Sequence, residues 1–291
     1  MRIRLRRTTC QKLKDQTLNQ VLSNDEVEKP VEREVRRSKP LPVYKGYDLV
    51  ETNENWLTTK NILVVLAHPD DPEFFLGGSI ARWIKAGHHV RYVLLTRGDK
   101  GSNDPRLTAE QIAKIRIDEQ RAAAEFLGVI SVDFLGYEDG YLIPDLEMRK
   151  AVVRFIRKYR PQILVSCDPE NLFPSQQYVN HPDHRAAGQV VVDAVFPAAG
   201  NQFFFPELLE EGYEPHEVEE LWLSLTGKPD VRLDVTAHWN DKLQALKLHA
   251  SQIGDPRAFE KRMLERAHSH QGKDFYVEEG FRRIIFRRIS G

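Results

Sequence analysis

The distribution of apolar and polar residues predicts strands and helices that alternate along most of the chain. Ile62–Leu66 is an unbroken apolar run, typical of a strand covered on both faces of a sheet. A loop follows, then a helix that begins at Leu76 and ends before Gly87, and a second strand covers Val90–Thr96. The pattern continues with a helix that has a capping-box start (Thr108–Leu127), a strand (Val129–Leu135), a helix (Asp145–Tyr159), a strand (Gln162–Ser166) and a helix (Pro182–Val195).

This order of elements predicts the fold class and two regions of the chain. Strands alternating with helices form βαβ units and a mostly parallel sheet, and right-handed crossovers place helices on both of its faces. We therefore expect an α/β fold, a three-layer sandwich, over residues 58–291. Residues 1–57 are polar with little periodicity and are expected to form an N-terminal extension, which is either disordered or packs loosely against the domain or a neighbouring subunit. Later in the chain, Leu221–Leu225 and Val231–Val235 are predicted strands, and Trp239–Ser251 has helical periodicity.

Composition and charge exclude several classes of protein. The formal net charge is -1, so no overall field attracts nucleic acid or an anionic membrane. No apolar run reaches the ~18–20 residues of a membrane span. The basic N-terminus lacks the apolar stretch of a secretory signal. The 2 cysteines, Cys10 and Cys167, exclude a disulfide scaffold and a Cys-rich zinc module, and their scarcity favours a cytoplasmic location.

Two short motifs contain the candidate catalytic and metal-binding residues. Ala67-His68-Pro69-Asp70-Asp71 follows the first predicted strand, and His181-Pro182-Asp183-His184 opens a helix after the fourth. Ligands of open α/β sheets bind beyond the carboxyl ends of the strands, where both motifs are expected to lie. The two motifs are therefore predicted to meet in one crevice.

The residue types in these motifs are those of metal-assisted hydrolysis. His68, Asp71 and His184 would supply the three protein ligands of a catalytic zinc ion, which leaves a position for water. Asp70 is then available to accept a proton from the metal-bound water. His181 is available to stabilise an oxyanion or to protonate a leaving amine.

Other roles are open for some of these residues. Asp71 could instead cap the predicted helix near Leu76. A structural zinc site is a weaker alternative, because such sites favour four protein ligands with Cys prominent. Asp183 could hydrogen-bond a metal ligand or His181 from outside the ligand set. Gly77-Gly78 lacks the G-x-G-x-x-G pattern of a dinucleotide loop, so no organic cofactor is expected and the glycines are interpreted as allowing close approach of helix and loop.

At these residues the sequence resembles the PIG-L/LmbE-type deacetylase family. The similarity extends from about Asn61 to Phe286, and the paired motifs are its most specific part. It includes both motifs with Glu73 and Arg185, the Gly77-Gly78 helix start, the turn Gly136-Tyr137-Glu138-Asp139-Gly140, and more weakly Lys242–Gln252 and the stretch around Phe281.

The resemblance implies a Rossmann-like fold, one divalent metal ion per chain, usually zinc, and hydrolysis of an N-acyl group. The usual substrate is a small molecule with acetyl on a glucosamine-like sugar. Carried to this chain, His68, Asp71 and His184 would be ligands, Asp70 the general base and His181 the electrostatic stabiliser or acid. Family members form assemblies, so a homo-oligomer is also implied. A non-catalytic ligand-binding protein on this fold, and a metal-dependent esterase or phosphoesterase, are the alternative functions.

Overall fold

The structure is a computed structural model that describes residues 51–266, 268–270 and 273–286. Within these ranges, strands and helices alternate as far as the fifth strand. The strands are β1 (Asn61–Leu66), β2 (His89–Thr96), β3 (Ser131–Tyr137), β4 (Ile163–Cys167), β5 (Glu220–Ser224), β6 (Val231–Asp234), β7 (His268–His270), β8 (Lys273–Tyr276) and β9 (Glu278–Ile285). The helices are α1 (Asp71–Lys85), α2 (Ala109–Leu127), α3 (Leu146–Tyr159), α4 (Pro182–Asp193), α5 (Pro206–Glu210), α6 (Trp239–Lys247), α7 (Ala250–Ile253) and α8 (Pro256–Arg266).

Seven strands form one mostly parallel sheet, in the order β3-β2-β1-β4-β5-β9-β6. The pairs from β3 to β5 are parallel, and β9 runs antiparallel to both of its neighbours. A separate antiparallel pair joins β7 and β8. The predicted α/β fold is confirmed. Because β1 and β4 are adjacent, the segments that follow their carboxyl ends open onto the same edge of the sheet.

The first strand shows why the sheet is covered on both faces. Leu63 and Val65 pack into an apolar cluster with side chains of α3 and α4. Ile62, Val64 and Leu66 point the other way and pack with side chains of α1, α2 and α6. Successive side chains of a strand alternate between faces, so an unbroken apolar run is what two apolar layers require.

Helix α1 begins earlier than the sequence pattern predicts. It starts at Asp71 and not at Leu76, and the Phe74 N–H donates to the Asp70 carbonyl over 3.0 Å. Pro72 is tolerated there because the first turn of a helix needs no N–H donor at that position. The backbone is non-helical at Leu76, where φ is -144° and ψ is 22°. Asp71 therefore does not cap a helix near Leu76, and that alternative is wrong.

Several other boundaries also differ, among them the start of the third strand and the extent of the helix predicted from Trp239. The third strand begins at Ser131, because the Val129 N–H donates to the Ala124 carbonyl and so closes the end of α2. The predicted helix Trp239–Ser251 is divided into α6 and α7, with a break around Leu248 and His249. Among the described helices, none combines the length and apolar character that a membrane span needs.

Two residues of the segment 51–57, which the sequence pattern assigned to the N-terminal extension, contact the sheet: Glu51 and Trp56. Glu51 joins the edge strand β6 through two backbone hydrogen bonds of 2.8 Å. The indole ring of Trp56 lies 5.7 Å from that of Trp83 and 5.3 Å from that of Trp222, centroid to centroid. Residues 1–50, the rest of the predicted extension, lie outside the described part of the chain.

We expect Trp56→Ala to lower the free energy of unfolding by about 3 kcal/mol, the lower end of the range for Trp truncation in a core. The indole N–H donates to the Glu220 carboxylate, so that hydrogen bond is lost together with the ring packing. Urea denaturation measures the change. Leu57→Ala is the matched control: its side chain is 98% exposed, and a change within about 0.5 kcal/mol is expected. Equal losses in both variants would contradict a packing role for Trp56.

Candidate metal centre and active site

The first motif forms a tight turn between β1 and α1. Asp70 has φ of 89°, in the left-handed region that is sparsely populated by residues other than glycine. The Asp71 side chain folds back, and its Oδ2 accepts the His68 N–H over 2.8 Å. This turn directs the side chains of His68 and Asp71 into the crevice at the carboxyl end of the sheet.

The second motif brings a further imidazole to the same place. His181 is the N-cap of α4, Pro182 occupies its first turn, and His184 follows on the buried side of that turn. His184 Nε2 lies 3.1 Å from Asp71 Oδ1, and His68 Nδ1 lies 3.3 Å from Asp71 Oδ2.

The three side chains predicted as ligands therefore form one buried cluster. One potential ligand atom from each of His68, Asp71 and His184 lies within 4.8 Å of the others. The exposed fractions of these residues are only 7%, 3% and 6%. Two imidazoles and a carboxylate are a donor set that a catalytic zinc site uses, and three ligands leave a position open. The residues present fit a single divalent ion.

The outer nitrogen of each imidazole has its own partner. His68 Nε2 lies 3.2 Å from Asp183 Oδ2 and 3.2 Å from Asp139 Oδ1. His184 Nδ1 lies 3.0 Å from the buried Asn180 Oδ1. Such partners fix which ring nitrogen carries the proton and leave the other lone pair free for a metal ion. Asp183 thus contacts a candidate ligand, while its backbone N–H donates to His181 Nδ1 over 3.2 Å.

The charges around His68 favour a cation at this position. Burial opposes protonation of His68, but the carboxylates of Asp71, Asp139 and Asp183 together raise its pKa well above its usual value. Burial also opposes ionisation of Asp71, but His184 and His68 hold the pKa of Asp71 well below its usual range. A metal ion bound at Nδ1 would replace a proton beside Asp71, while Nε2–H would keep its contacts with Asp139 and Asp183.

Asp70 is held beside this cluster by two side chains of α2. Arg116 Nη2 lies 3.0 Å from Asp70 Oδ2, and it also donates to the Pro69 carbonyl. The Asp70 N–H donates to Gln120 Oε1 over 2.7 Å. Burial raises the pKa of the Asp70 carboxyl to about 6, although Arg116 opposes the rise. A carboxyl group with this pKa can accept a proton near neutral pH.

His181 lies at the mouth of the cluster and is half-buried. Its ring centroid is 4.8 Å from that of His68 and 5.3 Å from that of His184. Burial, together with the two neighbouring imidazoles, lowers the pKa of His181. Because its ring lies next to those of His68 and His184, the His181 side chain can contact a group bound beside the cluster.

Four residues around the cluster were missed by the sequence analysis as site residues: Asp139, Asn180, Arg116 and Gln120. Asp139 lies in the Gly136–Gly140 turn at the carboxyl end of β3, so its position was a usable signal. Asn180 immediately precedes the second motif. Arg116 and Gln120 lie on α2 with no local pattern that distinguishes them from other polar helix residues.

An open cleft of about 1300 Å³ extends from this cluster. Its wall combines charged, polar and aromatic side chains from several loops, including Phe75, Lys100, Tyr178, Thr226 and Arg232. The candidate metal site lies within this cleft, so a ligand of moderate size can reach the three clustered side chains.

Comparisons with known proteins identify relatives over most of the described domain. Residues 63–195 match the family model described as GlcNAc-PI de-N-acetylase. The chain is 36% identical over 201 residues to diacetylchitobiose deacetylase of Thermococcus kodakarensis, and the aligned region covers 69% of this chain and 73% of that protein. It is 30% identical over 247 residues to 1D-myo-inositol 2-acetamido-2-deoxy-alpha-D-glucopyranoside deacetylase 1 of Saccharopolyspora erythraea, covering 66% of this chain and 77% of the relative.

A solved structure supports the same assignment. N,N'-diacetylchitobiose deacetylase from Pyrococcus horikoshii, complexed with its inhibitor, superposes with a TM-score of 0.70 and 30% sequence identity. The match covers 78% of this chain and 84% of that one. The predicted family resemblance is confirmed: the chain belongs to the PIG-L family of de-N-acetylases, hydrolases of N-acetyl amide bonds.

Proposed function

We propose that this protein is a zinc-dependent N-deacetylase that hydrolyses the acetamido group of a small, N-acetylglucosamine-containing molecule. The observation that carries the proposal is the buried cluster of His68, Asp71 and His184 with Asp70 beside it. Family membership supports the reaction class, and the named relatives act on acetylated glucosamine derivatives. Zinc fits two imidazoles and one carboxylate better than magnesium or calcium, which prefer oxygen ligands.

The proposed mechanism assigns each residue a separate task. His68, Asp71 and His184 would hold the metal ion, which when bound supplies Lewis acidity that polarises an amide carbonyl and makes water more acidic. Asp70 accepts the proton of the attacking water, and Arg116 orients its carboxylate. His181 stabilises the oxyanion of the tetrahedral intermediate or protonates the departing amine.

The size and lining of the cleft support a sugar substrate larger than one ring. Pockets for small ligands usually measure about 300–1,000 Å³, and this cleft is larger. Its lining combines charged and polar side chains with the rings of Phe75 and Tyr178, which suits a carbohydrate with both hydroxyl groups and apolar ring faces. A disaccharide is therefore the substrate that we would test first.

Acetate release from N,N'-diacetylchitobiose by zinc-loaded protein tests the proposal, with and without a chelator. We expect release that the chelator abolishes and that added zinc restores. A matched O-acetylated sugar separates an amidase from an esterase. No release from any N-acetylated sugar, together with tight sugar binding, would favour the ligand-binding alternative and overturn the proposed function.

We expect His181→Gln to lower kcat by about 10²–10³-fold, as for the loss of one group that stabilises an oxyanion. Zinc affinity should stay the same, because His181 is outside the proposed ligand set. Steady-state kinetics and a zinc titration measure the two quantities. His89→Gln, an exposed histidine at the start of β2, is the control. Unchanged kcat in His181→Gln would remove His181 from the mechanism.

Three expectations about the context of this enzyme stay predictions of the sequence. They are a homo-oligomeric state, a cytoplasmic location and the division of the chain into residues 1–57 and 58–291. Sedimentation of the purified full-length protein would test the first of them directly.

A further inference from the structure

Helix α1 contains a break just after its first turn, which carries the candidate ligand Asp71. At Leu76 the backbone leaves the helical region, with φ of -144° and ψ of 22°. In a continuous α-helix the Gly78 N–H would donate to the Phe74 carbonyl. At this break that hydrogen bond is replaced by two side chains from distant parts of the chain.

Glu279 of β9 and Lys242 of α6 insert into the break. Glu279 Oε1 accepts the Gly78 N–H over 3.0 Å, and Oε2 accepts the Ser79 N–H over 2.7 Å. Lys242 Nζ donates to the Phe74 carbonyl over 2.9 Å and lies 2.6 Å from Glu279 Oε1. The Phe74 carbonyl is thus connected to the Gly78 N–H through the Lys242 ammonium group and the Glu279 carboxylate. This chain of contacts takes the place of the direct hydrogen bond that a continuous helix would have.

The insertion is buried and closely packed. The side chains of Lys242 and Glu279 are only 7% and 4% exposed. A Cβ on Gly77 would lie 3.1 Å from Lys242 Cγ, and one on Gly78 would lie 2.7 Å from Val235 Cβ. Gly77 thus leaves room for the Lys242 side chain, and Gly78 permits the close approach of Val235.

The break separates the first turn of α1 from the rest of the helix. The first turn carries Asp71, and it also carries Phe75, whose ring lies 5.1 Å from that of His184. The second part of the helix is anchored in the apolar core by Ile80 and Trp83. The ion pair bridges the two parts, from the Phe74 carbonyl before the break to the Gly78 and Ser79 amides after it.

We propose that Lys242 and Glu279 are positioning residues whose ion pair fixes the break in α1 and thereby directs Asp71 toward the metal ion. The inference rests on the metal-binding role of Asp71 in the proposed function. It assigns a task to a buried ion pair that touches none of the candidate ligands. Kinks in helices commonly arise where a side chain enters the hydrogen-bond ladder, as it does here.

The test compares Lys242→Met and Glu279→Gln with a matched control, Glu220→Gln. Glu220 forms a buried ion pair with Arg283 at 2.8 Å, at the opposite, amino-terminal end of a strand. All three variants remove one charge of a buried ion pair, so all three are expected to lose stability. Only the first two act on the break in α1.

Zinc titration of the folded full-length proteins is the first measurement. We expect zinc affinity to fall by about 10–100-fold in Lys242→Met and Glu279→Gln, the usual effect of losing a group that orients a metal ligand. Glu220→Gln should bind zinc as the wild type does. Unchanged affinity in the first two variants, or an equal loss in all three, would overturn the proposal.

Amide hydrogen exchange of α1 is the second measurement, and it needs no metal or turnover. We expect faster exchange in Asp71–Ser79 of the two test variants, with Ile80–Lys85 unchanged. Uniform exchange along the whole helix would overturn the proposal. A wild-type protein that binds zinc but releases no acetate would overturn the proposed function alone, whereas one that binds no zinc would overturn both.

Discussion

Asp70→Asn is expected to lower kcat by about 10²–10⁴-fold, the contribution of a general acid–base group. Asparagine keeps the size of the side chain but cannot accept a proton from the attacking water. The variant should still bind zinc, because Asp70 is not one of the three clustered side chains. The left-handed backbone at position 70 should also persist, since asparagine tolerates it better than most residues.

The measurement pairs kcat for acetate release with a zinc titration on the same preparation. Asp118→Asn is the matched control: this aspartate is exposed on α2 and pairs with Lys114 on the surface of the same helix. We expect it to leave both quantities unchanged. Near-normal turnover in Asp70→Asn would exclude Asp70 as the base. A large loss of zinc would instead place Asp70 among the ligands.

The local elements of this fold could be predicted because their signals are short in range. The Thr108–Gln111 capping box is present with both of its hydrogen bonds, 2.8 Å and 3.2 Å long. The apolar run in β1 identified a strand with two buried faces. By contrast, nothing local shows that β9, from the end of the chain, lies between β5 and β6. That position depends on contacts between residues far apart in sequence.

The start of α1 was predicted incorrectly although Asp-Pro-Glu is a local signal of a helix start, whereas the break that follows it has a non-local cause. Its first turn, Asp71–Phe75, opens with Asp, Pro and Glu. The hydrogen bonds that connect this turn to the rest of the helix are made by the side chains of Lys242 and Glu279. Those two residues lie more than a hundred positions later in the chain. A local pattern cannot show that a distant ion pair completes a helix.

The candidate site also contains residues that the sequence could predict and residues that it could not. The alternation of strands and helices predicted that the two histidine-containing motifs would meet at the carboxyl edge of the sheet. The structure brings His68, Asp71 and His184 into one buried cluster. The groups that orient them come from elsewhere: Asp139 from the end of β3 and Arg116 from α2. Each is a single polar residue without a motif, so its role is visible only once the fold is known.

His184→Ala is expected to weaken zinc binding by more than the 10–100-fold that accompanies the loss of an outer partner of a ligand. The substitution removes Nε2, which lies 3.1 Å from Asp71 Oδ1 across the candidate site. Two ligands would remain, fewer than the three of a typical catalytic zinc site. Acetate release should fall with zinc occupancy and recover in part at high zinc concentration.

A graded comparison shows whether this loss comes from a ligand or from a general disturbance of the site. Asn180→Ala removes the partner of His184 Nδ1, together with a hydrogen bond of 2.8 Å from Asn180 Nδ2 to the Asn171 carbonyl, but it leaves the imidazole in place. Its zinc affinity should therefore fall by about 10–100-fold, less than in His184→Ala. His89→Ala removes an exposed histidine and should change nothing. Titration against a chromogenic chelator, with circular dichroism to verify folding, gives all three affinities. Wild-type affinity in His184→Ala would contradict its place in the ligand set, and an equal loss in Asn180→Ala would point to a general disturbance of the site and not to the loss of a ligand.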